Sequence, residues 1–170
     1  MRRTGERGFT LVEIMIVVAI IALLAAIAIP NVLRGRTSAN ESAAIGNLRA
    51  LVSSLEMYRS VNQGYPGTAT WAADMYTGAG ADPDFGPPQF NGALGTSMDI
   101  QGFRYIYARG ATNQTYTLTA GPTTAGRTGA RGFRLTEAGV IFHCTADADL
   151  EVPAATVTAT IDQPPDADCA

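Results

Sequence analysis

Residues 8–30 read GFTLVEIMIVVAIIALLAAIAIP, and this stretch decides how the N-terminal part of the chain folds. From Leu11 to Ile29 all 19 residues are apolar except Glu13. A helix rises about 1.5 Å per residue, so the run comes close to crossing a bilayer core of roughly 30 Å. The sequence therefore predicts a membrane-spanning helix.

The charges that precede this helix predict its orientation. Arg2, Arg3 and Arg7 precede the apolar run, and basic residues mark the cytoplasmic side of a span. Everything after Pro30 is then expected outside the cytoplasm. An ordinary secretory signal is the weaker alternative, with Ala26-Ile27-Ala28 as a small-x-small cleavage site.

Glu13 is the unusual residue of the span. An acidic side chain at the centre of a membrane helix costs about 2.5–3.5 kcal/mol, and less near the interface. We therefore expect a positively charged partner for it.

The run Gly8-Phe9-Thr10-Leu11-Val12-Glu13, followed by an apolar helix through Pro30, resembles the class III signal of type IV pilins and of the pseudopilins of type II secretion. The resemblance implies that a prepilin peptidase cuts after Gly8 and N-methylates Phe9. It also implies that Glu13 acts in assembly. Cleavage would create an α-amino group at Phe9, one helical turn before Glu13, and so supply the missing positive partner.

The predicted fold class is α+β, with one long N-terminal helix packed on a small antiparallel sheet of about four strands, as in type IV pilins. From Ser38 onward the helix becomes amphipathic, with Ile45, Leu48, Val52 and Leu55 at three-to-four spacing and the same spacing continuing through Tyr58 and Val61. The predicted segments are the leader 1–8, removed on maturation; the transmembrane or filament-core helix 9–30; its amphipathic half 31–63; a helix-to-sheet loop region 64–102; the sheet 103–144; and a disulfide-bounded tail 145–170.

The four predicted strands cover 103–108, 116–120, 132–136 and 140–144. In the loop region we expect a short helical turn around 71–76. The aromatic residues there are interpreted as anchors to the core in preference to an adhesive patch, and they are Trp71, Tyr76, Phe85 and Phe90. The loop 121–131 carries Arg127 and Arg131; a solvated loop is favoured over a site for an anionic partner or for the acidic flank of a neighbouring subunit.

The two cysteines predict a disulfide between Cys144 and Cys169, because the region after the span is expected outside the cytoplasm. The pairing is similar to the C-terminal disulfide of many type IV pilins, whereas pseudopilins often lack one. The tail is also acidic. Asp147, Asp149 and Glu151 are weak calcium candidates, since the major pseudopilin of type II secretion holds calcium in its C-terminal loops, but a solvated acidic tail without a cofactor is favoured.

Composition argues against other classes of protein. The chain has a formal charge of −3; the leader contributes +2 from three arginines and Glu6, so the mature chain carries −5. No clustered basic footprint for nucleic acid is present. A single histidine, His143, supplies too few parts for a catalytic triad or a multi-histidine metal site, so no enzyme is expected.

The predicted function is that of a structural subunit of a type IV pilus or pilus-like filament, serving adhesion, motility, DNA uptake or secretion. The subunit is expected in the bacterial inner membrane, with its N-terminus cytoplasmic and its head outside. Prepilin peptidase and inner-membrane assembly machinery would pass it into a homopolymer or a mixed filament with other pilins, either an extracellular pilus or a periplasmic pseudopilus. The alternatives are a pseudopilin of a type II secretion system and a secreted or membrane-tethered binding domain.

Overall fold

The computed structural model describes residues 9–77, 84–92, 94 and 98–145. They belong to two compact units that divide after Gly35. The first unit contains the N-terminal part of a long helix, and the second contains the remainder of that helix together with the sheet.

The long helix, α1, runs without a break over the 52 residues Leu11–Asn62, as predicted. Pro30 lies inside it, although a proline removes one backbone hydrogen bond from a helix. The next residue adds a bond beside this gap, because Asn31 Nδ2 donates to the Ile27 carbonyl at 3.1 Å. The helix therefore continues through Pro30.

Within the second unit one face of α1 is buried, and it is not quite the predicted face. Val61 was expected to cover the core but is 64% exposed, and Ile45 and Val52 are only half-buried. Small residues that the hydrophobic spacing does not reveal lie on the buried face instead. One of them is Ser54, whose hydroxyl donates to the Ala50 carbonyl at 2.9 Å. The buried residues are Glu41, Ala44, Leu48, Leu51, Ser54 and Leu55.

Among the residues that the structure describes, the sheet is a five-stranded antiparallel meander in which each strand pairs with the next along the chain. The prediction of about four strands missed the first strand, which falls in the segment assigned to a loop. A two-residue turn, Gln101-Gly102, joins it to the second strand with φ of 53° and 79°, the positive values that tight hairpin turns require. The strands are β1 Met98–Ile100, β2 Phe103–Arg109, β3 Tyr116–Pro122, β4 Arg131–Thr136 and β5 Ile141–Thr145.

The core lies between α1 and the sheet. Side chains alternate along each strand, so every second residue of β2, β3 and β4 points toward the helix. Leu48, Leu51 and Leu55 of α1 meet these residues and are fully buried. The strand residues of the core are Phe103, Tyr105, Tyr107, Tyr116, Leu118, Ala120, Phe133 and Leu135.

The aromatic residues of the helix-to-sheet connection are anchors to this core, as predicted. Trp71 and Phe90 are buried, and Trp71 Nε1 donates to the Phe90 carbonyl at 3.0 Å. The buried Tyr76 donates its hydroxyl to the Pro87 carbonyl at 2.9 Å, while Phe85 packs half-buried against the cluster. These rings are therefore not an adhesive surface patch.

Glu41 fastens α1 to the loop before β4. Its Oε1 accepts the backbone N–H groups of Ala130 at 2.8 Å and Arg131 at 3.2 Å. Its Oε2 accepts Arg131 Nε at 2.9 Å and Nη2 at 2.7 Å. The residue before Glu41 makes a further contact with this loop: Asn40 Nδ2 donates to the Thr128 carbonyl at 2.9 Å. The prediction of a merely solvated loop was therefore wrong for Arg131, whose partner is 90 residues away in sequence.

These contacts set the acidity of Glu41. Burial works to raise the pKa of its carboxyl, but the N–H of Ala130 and the guanidinium and N–H of Arg131 outweigh burial, so the pKa lies below its ordinary value. A carboxylate whose pKa is lower in the folded state than in the unfolded state stabilises the fold at pH values above the unfolded-state pKa. That contribution is lost as pH falls through the folded-state pKa.

We predict that Glu41→Gln lowers the free energy of unfolding by about 1–3 kcal/mol at pH 7, because hydrogen bonds to a charged group are lost from a largely buried site. The difference from the wild type should be complete above about pH 5 and should shrink as pH falls below about 4. Urea unfolding followed by the fluorescence of Trp71 measures it. Glu137→Gln, at an exposed turn, is the control and should change stability by less than about 0.5 kcal/mol. Equal stability of Glu41→Gln and wild type at pH 7 would contradict the assigned role.

Candidate functional site: the start of the long helix

The predicted processing and assembly residues lie at the beginning of α1. Phe9 and Thr10 precede the helix, and Leu11 is its first residue. Thr10 therefore occupies the N-cap position and Glu13 the third helical position. Phe9 is 84% exposed.

Thr10 and Glu13 bind each other reciprocally. Glu13 Oε2 accepts the backbone N–H of Thr10 at 2.9 Å and the Thr10 hydroxyl at 2.8 Å. In return, the Glu13 backbone N–H donates to Thr10 Oγ1 at 3.2 Å. This is a capping box, which satisfies two of the backbone donors that a helix start leaves without intrahelical partners.

The capping box gives Glu13 a role inside its own chain that the sequence analysis missed. As an isolated charge in an apolar run, Glu13 requires a positive partner. The spacing Thr-x-x-Glu just before an apolar run is itself a signature of a helix start, and residues 10–13 read TLVE. That signal was available and would have found Thr10 as the first partner of the carboxylate.

The helix that follows exposes its apolar surface. No large apolar side chain between Leu11 and Leu33 is buried in the chain by itself, and α1 is long and apolar enough, by length and composition alone, to cross a membrane. The exposed residues are Leu11, Val12, Ile14, Met15, Ile16, Val17, Val18, Ile20, Ile21, Leu23, Leu24, Ile27, Ile29, Val32 and Leu33.

The other candidate residues lie partly outside the described part of the chain. Gly8, Cys169 and the calcium candidates Asp147, Asp149 and Glu151 are outside it. Cys144 is placed in β5, opposite Gly132 of β4. Among the residues that the structure describes, no three His, Cys, Asp or Glu side chains are grouped closely enough to hold a metal ion.

Comparison with known proteins finds matches that each cover less than half of the chain. Residues 3–29 match the family model of the prokaryotic N-terminal methylation motif. The chain is 36% identical over 84 residues to the type II secretion system core protein G of Klebsiella michiganensis, a match covering 49% of this chain and 59% of the relative. It is 42% identical over 69 residues to the same protein of Escherichia coli, covering 40% and 48% of the two chains.

A pilus protein is among the relatives as well. The chain is 43% identical over 79 residues to the type IV wide pilus major component PilA4 of Thermus thermophilus, covering 46% of this chain and 59% of the relative. The matches thus span about half the length of the curated relatives. No solved structure matches significantly.

The resemblance noted in the sequence is thereby confirmed: this chain carries the prepilin-type N-terminal methylation motif on a pilin-like α+β fold, and its relatives are core protein G of type II secretion and a type IV pilin.

Proposed function

We propose that this chain is a structural, non-enzymatic subunit of a type IV pilus or pilus-like filament. The observation that carries the proposal is the uncovered apolar surface of α1 from Leu11 to Leu33, directly behind the methylation motif. Soluble monomers rarely leave contiguous apolar patches larger than a few hundred Å² exposed. Lipid covers this surface before assembly, and the helices of neighbouring subunits cover it afterwards.

Maturation creates the assembly-competent end of the helix. In this proposal prepilin peptidase cuts between Gly8 and Phe9, and both residues lie within the matched motif, 3–29. The cut removes the leader with its net charge of +2. It also leaves an amino group on Phe9, which is N-methylated and stays positively charged.

The geometry of the capping box leaves room for this new charge. Both bonds from Thr10 end on Glu13 Oε2, while a carboxylate offers two oxygens and about four acceptor positions. Oε1 can therefore accept the Phe9 ammonium, from the same chain or from a neighbour. Glu13 then caps the helix through Oε2 and pairs with the ammonium group through Oε1. Inside a hydrophobic filament core its carboxylate would therefore not be left unpaired.

The location and partners follow from this scheme. The subunit waits in the bacterial inner membrane with its N-terminus cytoplasmic and its head outside. Inner-membrane assembly machinery then adds it to a homopolymer or to a mixed filament with other pilins. A helical filament grows through heterologous contacts, which do not close into a ring.

A pseudopilin of a type II secretion system is the second candidate, because several relatives are named as core protein G of that system. The tail, 145–170, contains features that distinguish a pilin from a pseudopilin. We propose a disulfide between Cys144 and Cys169, a feature that fits pilins better than pseudopilins. A calcium site at Asp147, Asp149 and Glu151 would instead fit the pseudopilin, and no other cofactor is proposed.

The intact mass of the protein from its native cells should correspond to a chain that begins at Phe9, carries one added methyl group and lacks the two hydrogens lost on disulfide formation. A chain beginning at Ile29 would contradict the filament proposal, since it would have lost the apolar segment to an ordinary signal peptidase. Mass after reduction and alkylation tests the disulfide separately.

Two substitutions at Glu13 separate charge pairing from capping. Glutamine can also serve at this position of a capping box, so Glu13→Gln removes the charge and keeps the acceptor, whereas Glu13→Ala removes both. Because the loss of one partner from a buried pair costs about 3–5 kcal/mol, we expect both variants to stay in the membrane and to yield less than about one tenth of the wild-type filament mass after shearing. Normal assembly of Glu13→Gln alone would show that capping, not charge, is what assembly needs.

Substitutions at Thr10 test the capping box itself. Thr10→Val should cost about 0.5–2 kcal/mol of helix-start stability, and the amides of residues 11–13 should exchange hydrogen correspondingly faster in membrane-reconstituted protein. Thr10→Ser keeps the hydroxyl and should behave like the wild type. Unchanged exchange in Thr10→Val would rule the capping box out as a determinant of the helix start.

A further inference from the structure

The connection between α1 and the sheet contains a chemically labile asparagine. Six asparagines occur in the chain, and only Asn91 is followed by glycine. Asparagine is among the thermolabile residues, because the backbone nitrogen of the next residue can attack its side-chain amide. That nitrogen is least hindered when the next residue is a glycine, which has no Cβ. The junction Asn91-Gly92 is therefore the place in this sequence where such an attack is sterically easiest.

The structure places Asn91 at the centre of a tight turn. Asn91 follows the 3₁₀ helix Pro88–Phe90 and has φ of −75° and ψ of 82°. The N–H of Gly92 donates to the Phe90 carbonyl at 3.0 Å. A hydrogen bond across two residues with such angles makes an inverse γ-turn, whose ideal φ and ψ are about −75° and +65°. The nitrogen that would attack Asn91 is thus held by one backbone hydrogen bond of a three-residue turn.

The side chain of Asn91 is available for this reaction. Asn91 is exposed, and within the described part of the chain its side-chain amide makes no hydrogen bond. The asparagines of α1 differ, because each of them donates its side-chain amide to an acceptor at 2.9–3.2 Å. They are Asn31, Asn40, Asn47 and Asn62. Asn91 therefore combines the least hindered neighbour with a side chain that is not held in place.

We propose that Asn91 is a site of spontaneous deamidation in the folded protein. The Gly92 nitrogen loses its proton to solvent base and attacks Asn91 Cγ. The Cγ–Nδ2 bond breaks, the leaving nitrogen takes up a proton, and ammonia departs from a five-membered cyclic imide. Water then opens the ring at either of its two carbonyls and leaves aspartate or isoaspartate at position 91. Overall, water is consumed and ammonia is released, with no oxidation or reduction.

Isoaspartate at this position has a structural consequence, because it routes the main chain through Cβ and Cγ and lengthens it by one atom. The chain on both sides is fixed: Phe90 and Leu94 are fully buried, and the N–H of Tyr107 donates to the Leu94 carbonyl at 2.9 Å. The turn must therefore absorb the added atom. Its Phe90 carbonyl also accepts Trp71 Nε1 at 3.0 Å. The reaction thus couples the age of the protein to the surroundings of Trp71.

The test uses the full chain, purified in detergent and aged in mildly alkaline or mildly acidic buffer made with heavy-oxygen water. Trypsin cuts after arginine and lysine, and the segment 60–104 contains neither before its last residue. One peptide thus carries both Asn91 and Asn62. Asn62 is the internal reference, because Gln63 follows it and its amide donates to the Tyr58 carbonyl at 3.2 Å. Tandem mass spectrometry with electron-based fragmentation locates the product and separates isoaspartate from aspartate.

We expect the product to accumulate at position 91 and not at position 62, with heavy oxygen incorporated. The rate should be higher in the alkaline buffer, since the attack requires loss of the Gly92 N–H proton. It should rise further when urea unfolds the chain and removes the γ-turn. The emission of Trp71, the single tryptophan of the chain, should shift in step with the isoaspartate content.

Two variants test the chemistry. Asn91→Gln keeps a neutral amide at an exposed site, so it should fold like the wild type, but it cannot close a five-membered ring and should abolish the product. Gly92→Ala keeps the asparagine and hinders the attacking nitrogen, so it should slow the reaction. The Cβ that this variant adds meets Met98 Cε, the flexible end of a side chain.

Four results would overturn the proposal. Product that forms only in urea-unfolded protein would show that the native turn protects Asn91. Equal amounts of product at positions 91 and 62 would show that the glycine junction confers no preference. Formation in Gly92→Ala at the wild-type rate would show that access to the attacking nitrogen does not control the reaction. Unchanged Trp71 emission in isoaspartate-rich protein would contradict the coupling to the core.

Discussion

A helix that is apolar around its whole circumference cannot remain in water, and the rest of this molecule depends on that constraint. From Leu11 to Leu33 the exposed apolar side chains surround the helix. It has no polar face that could stay in water while the opposite face packs on a core. The same helix changes character after Gly35 and gives a single stripe of side chains to the core of the second unit. The N-terminal part of α1 thus needs an apolar environment outside the chain, whereas its C-terminal part packs in the chain's own core.

The polar residues of α1 are placed according to the same constraint. Glu13 lies at the helix start, where backbone donors need an acceptor anyway, so its carboxylate is useful even with apolar neighbours. Asn31 adds a bond beside Pro30. Glu41 is buried at the beginning of the packed face, where a charged side chain would be costly without the four hydrogen bonds that it accepts from Ala130 and Arg131.

Much of this architecture could be predicted from sequence because it depends on long or regular patterns. A run of 19 residues with one polar interruption specifies a helix with little ambiguity, and alternation of aromatic and β-branched residues indicates β2 and β3. The strand β1 was missed because three residues are too short to show alternation. The buried face of α1 was misjudged at Val61, since hydrophobic spacing cannot reveal where the sheet stops covering the helix.

The contacts of Glu41 could not have been read from the sequence at all. Arg131 lies 90 residues away, and no periodicity connects the two residues; only the folded topology brings them together. The capping box is the opposite case, because Thr10 and Glu13 are three residues apart and follow a known spacing. Local polar pairs are therefore accessible to sequence reasoning, whereas the polar contacts that join distant elements are not.

The order of the strands has a consequence for how the head reaches its final structure. Each of the strands β1 to β4 pairs with its successor, so each hairpin closes a short stretch of chain at small entropic cost. Proteins built from contacts between near neighbours in sequence generally fold fast. The sheet can thus form hairpin by hairpin. The ion pair between Glu41 and Arg131 links the helix to the sheet across 90 residues, a much longer loop than any of these hairpins closes.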